Sequence, residues 1–171
     1  MDFSTRASGG ERLSVPGGPA EASGAGALEV AAGLVFRGGR LLITQRRPED
    51  HQGGLWEFPG GKRHSEESYE ECLRRELREE LGMEVRVGRL LAEITHAYPD
   101  RTVRLRFFLC TWLRHEPRAI GCSALAWVLR EELAGFQFPP ADARLLQRLS
   151  ADRSLWEVGR NEPPGPCGTT H

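Results

Sequence analysis

Apolar residues enter this chain in blocks whose spacing changes twice. Residues 28–36 form a nearly unbroken apolar run, and residues 41–45 resume it after Arg37-Gly38-Gly39-Arg40. Two strand-like runs around a Gly-Gly pair predict a β-hairpin. Residues 46–64 lose the pattern and gather Gly and Pro around Trp56 and Phe58, so they read as a loop. It is too long for a tight turn, and loops of that length are commonly functional. From Ser65 the period becomes helical. Tyr69, Leu73, Leu77 and Leu81 recur every four residues, Glu66 and Glu67 suit the positive end of a helix dipole, and Gly82 supplies the stop. Strand patterns return at 84–94 and at 102–112, where Val103, Leu105, Phe107 and Leu109 share one face. Residues 125–129 predict a further short strand, and Pro139-Pro140-Ala141 opens a last helix carrying Leu145, Leu146 and Leu149. Strands and helices interleave around a central helix, which gives an α+β or α/β class.

Composition sets the limits of this folded region. Of the 171 residues, the first 27 include 17 that are Gly, Ala, Ser or Pro, too few apolar groups to offset their ordering entropy. Residues 1–27 are therefore expected to be a disordered tail and residues 28–150 the one folded domain. Residues 151–171, with Pro163, Pro164, Gly165, Pro166 and Gly168, are expected to be a flexible C-terminal tail.

Charge and cysteine content then remove whole classes of function. Lys plus Arg number 23 against 24 for Asp plus Glu, a balance without the basic surface that duplex nucleic acid needs. No apolar run approaches the ~20 residues of a spanning helix, and no targeting segment is visible. A soluble, cytoplasmic monomer with no membrane or nucleic-acid partner is the expectation. Cys72, Cys110, Cys122 and Cys167 form no CxxC pair, and the first two read as small buried hydrophobes rather than zinc ligands.

The central helix carries the candidate chemistry. At roughly 100° per residue, Glu76, Glu79 and Glu80 fall on one face, at the edge of the Tyr69–Leu73–Leu77 stripe. The same wheel turns Glu67, Glu71, Arg74 and Arg78 toward solvent. Like charges at such spacing repel, and a hard divalent cation suits an oxygen-only set. The alternative is a solvated acidic surface paired by Arg74, Arg75 and Arg78. Phe58-Pro59-Gly60-Gly61-Lys62, just ahead of the helix, favours the cation: its backbone groups can reach a metal or a phosphate.

These residues match a known signature. Gly61, five residues, Glu67, seven residues, Arg75-Glu76-Leu77, one residue, Glu79-Glu80, one residue, Gly82-Met83 resembles the complete box of the Nudix hydrolases. Leu55-Trp56-Glu57-Phe58, Tyr98-Pro99-Asp100-Arg101, Trp127 and Phe138-Pro139-Pro140-Ala141-Asp142 extend the similarity to the MutT-type nucleotide pyrophosphohydrolases. The resemblance implies a Nudix fold, an α/β/α sandwich whose mixed sheet lies between helices. It implies hydrolysis of a nucleoside triphosphate to monophosphate and pyrophosphate with Mg²⁺ or Mn²⁺, 8-oxo-dGTP first among substrates. By it, Glu76, Glu79 and Glu80 are the catalytic and metal-binding glutamates, with the Gly60 carbonyl as a further ligand. Gly61, Glu67, Arg75 and Gly82 are structural residues of the box, Glu67 and Arg75 bracing it as a pair. Arg46, Phe58 and Asp142 line the base pocket, with Lys62 and Arg101 as phosphate neighbours. Arg46 and Arg101 have a plainer reading as surface arginines, and Asp142 as a helix N-cap.

Two departures open other readings. Gly121 stands six residues before Trp127, where related enzymes often have a metal-binding Glu. Asp142 stands where an Asn reads oxidised guanine, and an ionised Asp only accepts hydrogen bonds, which leaves CTP or a modified dCTP open. A non-catalytic nucleotide-binding module and a hydrolase of ADP-ribose or sugar nucleotides are the remaining rivals.

Overall fold

The computed structural model describes residues 26–157. Residues 1–25 of the tail expected at 1–27, and residues 158–171, lie outside the described residues. The Gly38-Gly39 turn, with φ of 56° and 75°, has both central residues in the left-handed region, as a tight hairpin with right-twisted strands requires. It joins β1 (Leu28–Arg37) to β2 (Arg40–Gln45). Only Phe36↔Leu41 and Arg37↔Arg40 register across that hairpin, because residues 60–62 pair with β1 at Val30–Ala32 instead; β1 also runs parallel to β6 (Thr102–Arg114) from Leu28↔Val103 to Val35↔Cys110.

The stretch expected to be one long loop holds two short strands, β3 (Trp56–Glu57) and β4 (Gly60–Lys62). They pair with β2 and with β1, an order set by backbone pairing that no side-chain alternation announces. β5 (Glu84–Ala97) and β6 extend the two later strands past their expected ends and close on Tyr98, whose N–H donates to the Arg101 carbonyl at 2.8 Å. β7 (Ala124–Val128) pairs with β2. The result is a mixed seven-stranded sheet of order β3-β2-β1-β6-β5, with β4 on β1 and β7 on β2.

Both faces of this sheet are covered, so β1 is apolar on both sides and reads as a continuous run rather than an alternation. Ala31, Val35 and Leu42 pack against α1 (Tyr69–Leu81) through Tyr69, Leu73, Leu77 and Leu81. Ala32, Leu34, Phe36, Leu41 and Ile43 face α2 (Ala143–Ala151) through Leu145 and Leu149. Helix α1 begins later than Ser65. Ser68 is its N-cap, accepting from the Glu71 N–H at 3.1 Å while the Glu71 carboxylate accepts from the Ser68 N–H at 2.8 Å. Gly82, at φ 65°, ends it as expected. Cys72, Cys110 and Cys122 are buried and free.

The C-terminal boundary needs correcting. Residues 151–157 finish α2 and form α3 (Ser154–Glu157), whose Leu155 and Trp156 lie in the core. Trp156 meets Phe36 edge-on at 5.2 Å between ring centroids, and its indole N–H donates to the Leu149 carbonyl at 2.8 Å. A single turn carrying two large apolar groups is too short for periodicity to reveal. Trp156→Ala should cost ~3–5 kcal/mol of unfolding free energy, measured by denaturant titration. Among the described residues no helix is long and apolar enough to cross a membrane.

Candidate active site

A groove of about 490 Å³ opens over the paired β1 and β6 strands. Its floor is the β1–β6 surface, with Leu28, Val30 and Ala32 registered against Val103, Leu105 and Phe107. One wall combines Gly60, Gly61 and Lys62 of β4 with Glu76 and Glu80 of α1. The opposite side carries Arg46 and His51 of the β2–β3 loop, Glu57, Phe58, Tyr98 and Arg101 of the β5–β6 hairpin, and Asp142. Every expected substrate residue (Arg46, Phe58, Lys62, Arg101 and Asp142) therefore lines one space.

The acidic face is only partly assembled. Glu76 and Glu80 are half-buried in the groove wall, whereas the Glu79 side chain is 60 % exposed and sits 3.3 Å from the Arg75 guanidinium. The helical wheel places three Cα–Cβ bonds on one side; the side-chain rotamers then separate them. Among the described residues no three Asp, Glu, His or Cys side chains form a ready-made cation cage. The donor chemistry nevertheless fits a hard divalent cation. Burial pushes the Glu80 carboxyl up to about 7, and the charges of Glu76, Glu57 and Asp50 add to that rise against Arg47. An excess of negative charge at an oxygen-lined wall is what a bound cation relieves.

Arg75 organises this wall. Its guanidinium forks onto Glu67 at 2.6 and 3.0 Å, reaches Glu76 at 2.7 Å, and donates to the Lys62 carbonyl at 3.1 Å. Glu67 is consequently not the solvent-facing residue expected from the wheel. It precedes the N-cap Ser68, so helical angles do not apply to it, and its side chain turns in to Arg75. Those hydrogen bonds, with one from the His64 backbone, hold its carboxyl down to about 2. Gly61 supplies the space: a Cβ there meets the Glu76 carboxylate.

On the opposite side, Arg46 donates to Glu57 at 2.6 Å and to the His51 carbonyl at 2.8 Å, so it is engaged within the fold rather than a free surface arginine. Phe58 is buried, edge-on to Phe107 at 5.8 Å and tilted against Phe138 at 5.1 Å. Asp142 is only 4 % exposed and makes no capping hydrogen bond to α2. Burial pushes its carboxyl up to about 7, opposed by Arg46 and aided by Glu57. Burial likewise raises Glu57. Lys62 is exposed at the rim, and Arg101 there pairs with Asp100 at 2.8 Å.

Sequence reasoning assigned no role to Glu57, His51 or Tyr98. Glu57 and Tyr98 lie in segments already quoted as shared, and His51 in the loop flagged by its length, but nothing in their spacing shows that they face one groove. Gly121 brings no carboxylate to the site. A Cβ at Gly121 would lie 2.7 Å from the Glu80 Cγ, while the Ile120 and Gly121 N–H groups donate to the Glu80 carbonyl at 3.0 and 2.9 Å. This segment closes the C-terminal end of α1 directly over Glu80.

The raised carboxyls fix a direction for stability against pH. In the folded protein Glu80 and Asp142 bind their protons more tightly than in the unfolded chain, whose values are near 4.5 and 3.8. Their contribution is therefore greatest in acid and falls as pH rises toward about 7. Glu67 acts oppositely: its contribution is present above about 4.5 and is lost as pH falls toward about 2. Without metal, Glu80→Gln and Asp142→Asn should each melt a few degrees above the wild type at about pH 8, with the gap closing toward about pH 4. Thermal melts of the three proteins at both pH values check this.

The NUDIX domain family matches residues 31–148 of the chain. A protein of Escherichia coli (strain K12) named CTP pyrophosphohydrolase is 37 % identical over 127 residues, 74 % of this chain and 94 % of its own length. An 8-oxo-dGTP diphosphatase of Proteus vulgaris is 43 % identical over 90 residues, 52 % of this chain and 80 % of its own length. Among solved structures, the solution structure of the E. coli ORF135 protein is 38 % identical with a TM-score of 0.63, covering 70 % of this chain and 86 % of that one.

Proposed function

The chain belongs to the NUDIX domain family, and on that footing we propose that it hydrolyses a (deoxy)nucleoside triphosphate to the monophosphate and pyrophosphate. The observation that carries this reading is the shared groove: Glu76 and Glu80 in its wall, Lys62 and Arg101 at the rim, and Phe58 and Asp142 lining the same space. A base seated on the apolar floor against Phe58 leaves its phosphates to run toward the glutamates.

The oxygen donors of Gly60, Glu76, Glu79 and Glu80 would hold Mg²⁺ or Mn²⁺. When bound, the cation neutralises phosphate oxygens and lowers the pKa of the attacking water. The protein's own part is positioning and proton transfer. Lys62 and Arg101 steer the phosphates, Arg75 fixes the Glu76 carboxylate, and a groove-facing glutamate takes the proton as water adds to phosphorus and the bridging P–O bond breaks. Pyrophosphate leaves.

Of the bases, 8-oxoguanine is the first choice, as in the relatives named 8-oxo-dGTP diphosphatase. A cytosine-type substrate is the second, favoured by the carboxyl group of Asp142 and by the relative named CTP pyrophosphohydrolase. The test is pyrophosphate release with Mg²⁺ over ordinary and oxidised nucleoside triphosphates. The expected result is pyrophosphate in step with monophosphate, highest with 8-oxo-dGTP or a cytosine nucleotide. Orthophosphate with diphosphate, or no product from any of them, would overturn the reading.

A further inference from the structure

A second arginine stands behind the wall that Arg75 organises. Arg63 follows β4 directly, and its main-chain N–H donates to the Glu29 carbonyl at 2.9 Å, prolonging the pairing of β4 with β1. Its guanidinium donates through Nε, at 2.7 Å, and through Nη2 to one carboxylate oxygen of Glu29. The Tyr69 hydroxyl donates to the other oxygen at 2.8 Å. Nη1 donates to the main-chain carbonyl of Glu67 at 2.6 Å and lies 3.3 Å from that of His64. The guanidiniums of Arg63 and Arg106 lie against the Tyr69 ring, 5.3 and 4.3 Å from its centroid. Arg63 thus ties the start of β1, the turn after β4 and the first residue of α1 into one unit.

Glu67 is gripped twice. Arg63 holds its main chain, while Arg75 and the His64 N–H hold its carboxylate. Arg75 also reaches Glu76 at 2.7 Å and Glu79 at 3.3 Å, so one guanidinium is divided among three carboxylates. Its N–H donors form a rigid fork, and a donor that one carboxylate gives up turns to the next. Were Glu67 to drift, the carboxylates left to Arg75 would be Glu76 and Glu79, two of the oxygen donors that would hold the cation. We propose that Arg63, anchored on Glu29 and Tyr69, is a positioning residue for this wall: by fixing Glu67 it keeps Arg75 from closing fully on Glu76 and Glu79 and leaves their oxygens to the cation. The inference rests on the reading of those glutamates as the cation's ligands. It also has a sign of its own. Removing a positive charge behind an acidic wall would, by Coulomb attraction alone, strengthen cation binding. Removing the brace weakens it.

The test uses the full chain and the variants Arg63→Met, Arg104→Met, Glu67→Gln and Arg63→Met with Glu67→Gln. Solvent exchange of the Arg75 Nε–H, followed by NMR without metal, should be several-fold faster in Arg63→Met than in the wild type. Mn²⁺ affinity, followed by electron paramagnetic resonance without nucleotide, should fall about tenfold in Arg63→Met. Arg104 lies 3.7 Å from Glu29, so Arg104→Met removes a charge beside the same anchor and leaves the bonds to the turn intact. Both readouts should stay within about twofold of the wild type there. Glu67→Gln should weaken Mn²⁺ binding about tenfold, and adding Arg63→Met should weaken it by less than about twofold more, because Arg63 acts through Glu67. Equal or tighter Mn²⁺ binding in Arg63→Met overturns the proposal, even if its melting temperature falls, for Arg63 would then only stabilise the turn. An unchanged Arg75 exchange rate, or additive losses in the double variant, overturns it too. A wild type that binds no Mn²⁺ while Arg63→Met speeds the Arg75 exchange would sink the reading of the glutamates as ligands and leave the brace standing.

Discussion

Glu76→Gln and Glu80→Gln should each lower kcat by about a hundredfold or more at saturating Mg²⁺, while circular dichroism shows an unchanged fold. Each amide keeps the shape of the side chain and gives up the charge that attracts a cation or accepts a proton. The two should differ in stability. Glu76 is held at 2.7 Å by Arg75, so its loss leaves that guanidinium short of one partner. Glu80 has no such partner among the described residues and is ionised at a cost, so its loss relieves repulsion. Steady-state kinetics paired with melting curves separate these effects. Turnover near wild type in both variants would remove the glutamates from the chemistry.

Gly60→Ala and Gly61→Ala, one residue apart, should fail in different ways. At Gly60 a methyl group would run into the Ala31 carbonyl oxygen, with the Ala32 Cα at 2.8 Å. These are backbone atoms of β1 locked into pairing with β6, so they cannot give way. Overpacking of this kind costs ~1–3 kcal/mol or more, and Gly60→Ala should melt well below the wild type. At Gly61 the obstacle is the far end of the Glu76 side chain, which can swing aside. Gly61→Ala should therefore fold almost normally and lose activity about as Glu76→Gln does, roughly a hundredfold. Melting temperature and kcat measured on the same preparations decide it: the first falls mainly in Gly60→Ala, the second alone in Gly61→Ala.

Much of this architecture was legible before any coordinates, for identifiable reasons. The four-residue recurrence from Tyr69 to Leu81 is one stripe on one helix, and all four residues are buried in the α1 face of the core. Gly38-Gly39 and Gly82 mark backbone conformations that other residues resist. Elements too short to show a period were not legible. β3 and β4, of two and three residues, are strands through their partners, and α3 is a single turn fixed by Leu155 and Trp156.

The site divides in the same way. Spacing put Glu76, Glu79 and Glu80 on one side of a helix, but which carboxylate turns to Arg75 and which to the groove is a choice among rotamers. Glu67 escaped the wheel because Ser68 starts the helix one residue after it. The pairing of Glu57 with Arg46 spans the β2–β3 loop, and the approach of Tyr98 to Asp142 spans 44 positions of chain (from 98 to 142), contacts that tertiary structure alone creates.

The most direct test of the site is a titration with Mn²⁺ followed by electron paramagnetic resonance, in the absence of nucleotide. The wild type should bind the ion, and Glu76→Gln and Glu80→Gln should each weaken binding by at least about tenfold. Glu79→Gln should do the same, because Glu79, on the same side of α1, would be one of the oxygen donors that hold the ion. Equal affinity in the wild type and all three variants would contradict the account, for the acidic face of α1 would then be no more than a charged surface.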